Sequence, residues 1–340
     1  MSRLFARIRF VVGALALASL VTFAAPLHAQ QQAPFVDPDA SAVSEQKLLQ
    51  QFPRIEGRIL IPDQRESVLV QPAGRVWDYF HEVLLHWLGA LVIVGMVALL
   101  AAAYFFLGPI RISAGRSGRK VPRFNGFERF VHWLTATSFI VLGISGLNIT
   151  FGKLLLRPLT GPEAFSAFSQ IAKYAHNFMA FPFMLGILLM MGMWFKDNVP
   201  RKVDVDWLKQ GGGFIKSKHA HPPAGRFNAG EKGVYWIVLG AGVAVSLSGL
   251  LLLFPFYVTN ILQMQIAQVV HAVVAVLFVA VILAHIYIGT LGMEGAFEAM
   301  ATGAVDYNWA KEHHNLWLEE QIAKDRLAEH PKRPSAVAAE

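Results

Sequence analysis

Val270–Tyr287 reads VHAVVAVLFVAVILAHIY, and this stretch decides how the chain folds. It carries no Asp, Glu, Lys or Arg, and neither does any other position from Gly233 to Met293. A helix crosses a bilayer with about 20 apolar residues. A charge-free run of this length therefore holds two crossings. Phe254-Pro255-Phe256-Tyr257 marks a tight turn between them, and Gln263, Gln265 and Gln268 mark the return to the interface. Two histidines, His271 and His285, stand inside the second crossing, 14 residues apart. At 1.5 Å per residue they lie about 21 Å apart along the axis and within about 40° of one face. Ionisable side chains within hydrocarbon are expensive and mark function.

Working outward, Val83–Gly108, Phe130–Gly152 and Tyr174–Phe195 are also free of charged residues. The pattern predicts five spanning helices near 83–107, 131–151, 174–195, 234–254 and 265–289. Composition agrees: 54% of residues are hydrophobic and 16% charged, against about 25% charged in a soluble domain. The expected fold class is all-α integral membrane. The 12 histidines and the absence of cysteine exclude a disulfide, a cluster ligated by cysteine, covalent c-type haem and a thiolate zinc site. Histidine is the natural ligand for any metal. The net charge is +7, but the positive residues flank apolar spans. They read as topology and attraction to membrane lipid, with no nucleic-acid partner.

Arg111, Arg116, Arg119, Lys120, Arg123 and Arg129 crowd residues 109–130, and residues 196–232 carry eight Lys or Arg. Residues 152–173 carry three and 254–268 none. The positive-inside rule puts 109–130 and 196–232 in the cytoplasm. With five spans the mature N-terminus is then outside and the C-terminus inside. Arg3, Arg7 and Arg9, the apolar run Phe10–Ala25 and the small Ala29 form a secretory signal peptide over 1–29, with an uncleaved anchor as the alternative. Both place the following residues outside, in a polar arm at 30–80.

Depth then groups the histidines. His132 opens a helix that starts inside, and His176 opens one that starts outside. His285 shares the inner depth of His132, and His271 the outer depth of His176. Each pair can supply both axial ligands to one haem iron through neutral imidazole nitrogens. Two imidazoles leave no open coordination position, which favours electron transfer. A proton relay or metal-ion transporter is the competing reading. Gly143, Gly146, Gly186, Gly240, Gly242 and Gly249 fit close helix approach or a flat macrocycle. His81 and His86 read as outer-interface residues, and His28, His219, His221, His313, His314 and His330 receive no ligand role.

The run Asn125-Gly126-Phe127-Glu128-Arg129-Phe130-Val131-His132-Trp133 resembles the gamma subunit family of membrane-bound formate dehydrogenase, the cytochrome b556 subunit. Tyr174-Ala175-His176, Arg226-Phe227-Asn228-Ala229-Gly230-Glu231-Lys232, Val270-His271-Ala272 and Ala284-His285-Ile286-Tyr287 resemble it too. Gly295–Met300 and Trp309–His314 extend the resemblance over about residues 120–320. It implies a four-helix transmembrane core with two b haems, held by ligands that match His132, His176, His271 and His285. It also implies quinone reduction, of ubiquinone or menaquinone, near the inner haem, at a motif matching Asn228, Gly230 and Glu231. Some relatives carry Gln at the position of Glu231. A carboxylate there would assist proton delivery, or serve only as an acid at a helix N-terminus.

The expected organisation is a signal peptide (1–29), a periplasmic arm (30–80) and an additional N-terminal transmembrane helix (81–108). The di-haem cytochrome b core (109–292) and a cytoplasmic tail (293–340) follow. By resemblance, an alpha subunit with molybdenum or tungsten oxidises formate outside the inner membrane. An iron–sulfur beta subunit passes the electrons to this chain and on to quinone. A hydrogenase or other periplasmic oxidoreductase is the neighbouring alternative.

Overall fold

The computed structural model describes residues 56–58, 68–70, 74–213 and 222–329. The signal peptide and most of the arm expected from the sequence lie outside the described residues, as do His28, His219, His221 and His330.

A two-stranded hairpin opens the described chain, with β1 (Glu56–Arg58) antiparallel to β2 (Val68–Val70). Three long helices follow: α1 (Val76–Leu107), α2 (Gly126–Leu155) and α3 (Pro162–Trp194). After the short α4 (Lys202–Lys209) come α5 (Ala229–Leu253) and α6 (Ile261–Gly292), whose last turn is π-helical. Each of the five long helices is apolar enough to cross a membrane. Large apolar side chains such as Leu91, Ile144, Leu188 and Leu247 stay more than half exposed. Water would penalise that surface, whereas lipid tails would not. The chain is an all-α integral membrane protein.

All five helices are longer than the spans predicted for them. α3 starts at Pro162, 12 residues before Tyr174, with proline at its first position and Glu163 in its first turn. Proline lacks the N–H that this position leaves unbonded anyway, and the acid suits the positive helix end. Capping boxes set three other starts. Asn125 Oδ1 accepts from Glu128 N at 2.9 Å, while Glu128 Oε2 accepts from Asn125 N at 2.9 Å. Asn228 and Glu231 do the same at 3.0 Å each, and Asn260 and Gln263 at 2.9 Å each. Each box satisfies two backbone donors that a helix start would otherwise leave without partners. The apolar run measures hydrocarbon depth; the caps measure the helix.

The chain divides into two compact units that share the long helices. One takes the described residues up to Leu107 with Ala136–Met184 and Gly240–Ala284. Its core joins Phe139 of α2, Phe183 of α3 and Phe278 of α6, with ring centres 4.7–6.4 Å apart. Against it, α1 packs through Gly89, where an added Cβ would stand 3.2 Å from Phe151 and 3.5 Å from Val276. His86 Nε2 of α1 bonds to the Thr150 carbonyl at 2.7 Å, a structural tie that needs no cofactor.

The second unit takes Gly108–Thr135, Leu185–Leu239 and the chain from His285 onward. In it β3 (Lys120–Pro122) pairs antiparallel with β4 (Ala304–Asp306). Helices α7 (Ala296–Ala301), α8 (Tyr307–His313) and α9 (Asn315–Glu329) flank β4 in sequence. The Glu312 carboxylate accepts from Ser113 N and Ala114 N at 2.9 Å each. Asp306 accepts from Ser117 N and Gly118 N at 3.1 Å each. Gly303 sits at φ +86°, and its carbonyl accepts from Arg123 N at 2.8 Å; a Cβ there would collide with Phe124 O. Much of the segment expected as a charged tail is thus folded onto the 109–125 loop by carboxylates that cap loop amides.

Candidate haem site

The four sequence-selected histidines meet in the expected pairs, one pair in each unit. His132 of α2 and His285 of α6 have ring centres 6.3 Å apart at 58°. His176 of α3 and His271 of α6 have centres 6.2 Å apart at 67°. Neither pair stacks. A metal held between two imidazoles sits about 2 Å from each ligating nitrogen, so with each ring's half-width added the ring centres fall about 6 Å apart. Both pairs fit an iron with two axial imidazoles.

The groups around the rings differ between the pairs. His176 Nδ1 lies 2.9 Å from Ser145 Oγ, and His271 Nδ1 lies 3.1 Å from Ser248 Oγ. The next residue in each case is glycine. A Cβ on Gly146 would stand 3.4 Å from His176 Cε1, and one on Gly249 would stand 3.1 Å from His271 Cε1. Each ring therefore lies against a serine hydroxyl and a bare glycine. His132 Nδ1, by contrast, is buried without a hydrogen-bond partner among the described residues. The other glycines separate: Gly186 lets α3 approach Thr135 of α2, while Gly143 makes only ordinary contact with Val279 at 3.9 Å.

Asn228, Gly230 and Glu231 form the start of α5 in the same unit as His132 and His285. Asn228 Oδ1 and Glu231 Oε2 are engaged in the capping box. Gly230 faces the Trp207 ring, where a Cβ would stand 3.1 Å away. Glu231 Oε1 points elsewhere, 3.0 Å from Arg123 Nη2 and 3.6 Å from His314 Nε2.

Sequence reasoning passed over Arg123, Arg226 and His314. Arg123 Nη2 also donates to the Arg226 carbonyl at 2.9 Å, and Arg226 Nη2 donates to the Arg123 carbonyl at 3.3 Å. Arg226 Nη2 reaches Glu128 Oε1 at 2.5 Å, as Arg123 reaches Glu231. Each arginine thus binds the cap of the other's helix. The signal is a repeat: Arg123-Phe124-Asn125-x-x-Glu128 recurs as Arg226-Phe227-Asn228-x-x-Glu231, 103 residues on. The same offset carries Ser145-Gly146 onto Ser248-Gly249.

Arg123 is buried beneath aromatic rings, with its Cζ 5.0 Å from the Trp309 centre and 5.2 Å from that of Phe124. Its Nε and Nη1 have no hydrogen-bond partner among the described residues, and the ring faces take that place. Burial lowers its pKa, opposed by the Glu231 carboxylate; arginine stays charged even so. His314 is fully buried, and its Nδ1 lies 2.9 Å from the Gly225 carbonyl. A carbonyl only accepts, so Nδ1 carries the proton. Burial first, then the charge of Arg123, pushes its pKa down to about 3, and the ring is neutral at pH 7.

Helices of this length with paired inward histidines define a membrane cytochrome b. Residues 123–303 match the model of the prokaryotic cytochrome b561 family, and the chain belongs to that family. Membership implies haem b as the cofactor. Among its relatives is the formate dehydrogenase cytochrome b556(fdo) subunit of Escherichia coli strain K12, 28% identical over 204 residues. That match covers 59% of this chain and 92% of the relative. The nitrate-inducible formate dehydrogenase cytochrome b556(Fdn) subunit of the same strain is 24% identical over 208 residues, with the same coverage. The formate dehydrogenase cytochrome b556 subunit of Haemophilus influenzae is 25% identical over 198 residues, covering 57% of this chain and 80% of the relative.

Proposed function

We propose that this chain is the di-haem cytochrome b subunit of a formate dehydrogenase in the bacterial inner membrane. The observation that carries the reading is the geometry of two histidine pairs, each spaced for one iron. Bound there, b haems would supply one-electron carriage between formate oxidation and quinone reduction. His176 and His271 would hold the outer haem, and His132 and His285 the inner. The mature N-terminus would be periplasmic and the C-terminus cytoplasmic, with 1–29 a signal peptide and 81–108 an additional helix.

The partners would be an iron–sulfur beta subunit and an alpha subunit with molybdenum or tungsten, which converts formate to carbon dioxide with release of two electrons and a proton. Quinone takes up two electrons and two protons to become quinol. Asn228, Gly230 and Glu231 would lie against it on the inner side. Glu231 Oε1 is the oxygen outside the cap, where a carboxylate would pass protons towards quinone. Its ion pair with Arg123 stabilises the carboxylate, so the group would rest ionised and relay a proton rather than store one.

The test is to purify the intact complex from membranes and measure haem b per copy of this chain by pyridine haemochrome, then add formate and a quinone analogue. Two haems that formate reduces and quinone reoxidises are expected. No haem would sink the reading and favour a proton or metal-ion pathway. Two haems that formate leaves oxidised would move the chain to another oxidoreductase.

A further inference from the structure

We propose that Ser145 and Ser248 are positioning residues that fix the tautomer of His176 and His271 and lower the midpoint potential of the haem this pair holds. The inference rests on the di-haem reading above and adds a role for two serines outside the ligand set.

A hydroxyl has one proton to give. Ser145 Oγ directs its proton to the Val141 carbonyl at 2.6 Å, with Leu142 O at 3.2 Å. Ser248 Oγ does the same to Ala244 O at 2.7 Å, with Val245 O at 3.3 Å. Towards the imidazole each oxygen can then only accept. The bonds at 2.9 Å and 3.1 Å place the proton on Nδ1 of His176 and of His271, and the Leu142 and Val245 carbonyls stand beside the serines as second acceptors for the same rings. A neutral imidazole carries one N–H, so Nε2 is left as the lone-pair nitrogen. That is the form a metal requires.

Serine bonded back to its own helix is common and by itself means only local packing. The second contact is what distinguishes these two. Each serine holds a histidine from the neighbouring helix, the following glycine leaves room for the ring, and the Ser-Gly pair occurs twice at the same offset of 103 residues. Scattered packing serines would not each be followed by a glycine and each meet a histidine.

When the imidazole N–H donates to an acceptor, the ligating nitrogen becomes more basic. A more basic axial ligand favours ferric over ferrous iron and lowers the potential. Both axial ligands of this pair have that support. His132 Nδ1 of the other pair has none among the described residues. The hydrogen bonds therefore make the His176–His271 haem the lower of the two in potential, which drives electrons towards the His132–His285 side.

The test is an optical redox titration of the intact complex carrying Ser145→Ala, Ser248→Ala or both, with Ser145→Thr and Ser248→Thr as versions that keep the hydroxyl. Each alanine is expected to raise the lower midpoint by up to about tenfold in the ferrous-to-ferric ratio, ~59 mV for one electron. The double variant moves further, the other haem does not move, and the threonines stay near wild type. Unchanged midpoints in fully haem-loaded alanine variants would overturn the inference while leaving the di-haem reading intact. So would a shift confined to the higher-potential haem. A haem-free wild-type complex would instead remove the di-haem reading itself.

Discussion

The two units of this protein hold their histidine pairs in different ways. In the unit with His176 and His271, a repeated Ser-Gly seat holds each ring, and the surroundings are apolar and aromatic. In the unit with His132 and His285, the repeat persists in the backbone caps but not in the ligands. At the offset of 103, His132 corresponds to Tyr235, whose hydroxyl lies 3.4 Å from the Met191 carbonyl. The asymmetric unit instead brings Arg123, Glu231 and His314 together.

The crossed arginines test that asymmetry most strongly. The Arg123 side chain is 1% exposed and that of Arg226 is 27% exposed. Arg123→Ala would strip Glu231 of its cation and empty the aromatic cage, a loss of about 3–5 kcal/mol when a buried pair is broken. Arg226→Ala leaves Glu128 with the Trp194 indole N–H at 2.9 Å and its own cap. It is expected to cost about 1–2 kcal/mol. Thermal unfolding in detergent, with this chain followed by intrinsic fluorescence, reads the difference. Equal losses would show that the two halves of the repeat are energetically alike.

His314 belongs to the same network and gives it a pH dependence. Folded, it takes a proton only near about 3; unfolded, near the ordinary 6.5. The unfolded chain binds more protons between those values, so stability falls as pH drops through that window. His314→Phe keeps a ring beside Trp309 and removes the titration. Relative to that variant, the wild type is expected to lose on the order of a few kcal/mol across the window. Unfolding midpoints in detergent from pH 7 to pH 4 check the sign. Parallel curves for the two proteins would place the acid sensitivity elsewhere.

What could be read from the sequence follows from which forces act locally. Hydrocarbon excludes charge residue by residue, so the five helices and the position of each histidine along them are visible in the chain alone. The pairs could be assigned because depth is a one-dimensional property of a spanning helix. Ser145 and Ser248 were hidden because a serine in an apolar helix shows no sign of which neighbour its oxygen meets. Arg123 read as one more topology-setting charge, and His314 as a tail residue. Their burial comes from the folding of Ala296–Glu329 onto the 109–125 loop, through contacts over 182 to 199 residues that no local pattern announces. The R-F-N-x-x-E repeat did offer a route to the arginines. A search for internal similarity at an offset of 103 would have paired them.

The smallest expected effect lies within the symmetric unit and asks how alike its two seats are. An added Cβ meets His176 Cε1 at 3.4 Å from Gly146, an ordinary contact, but meets His271 Cε1 at 3.1 Å from Gly249. At the shorter distance the ring must move a few tenths of an ångström, and His271 resists because its Nδ1 is tied to Ser248. Gly249→Ala is therefore expected to cost about 1–3 kcal/mol through overpacking, and Gly146→Ala less than about 1 kcal/mol. Unfolding midpoints give the energies. With haem bound, its absorption spectrum would report a change in how His271 meets it, and only Gly249→Ala should alter that spectrum. If Gly146→Ala proves as damaging, the seats are equivalent in tightness, and the two Ser-Gly seats are symmetric in strain as well as in sequence.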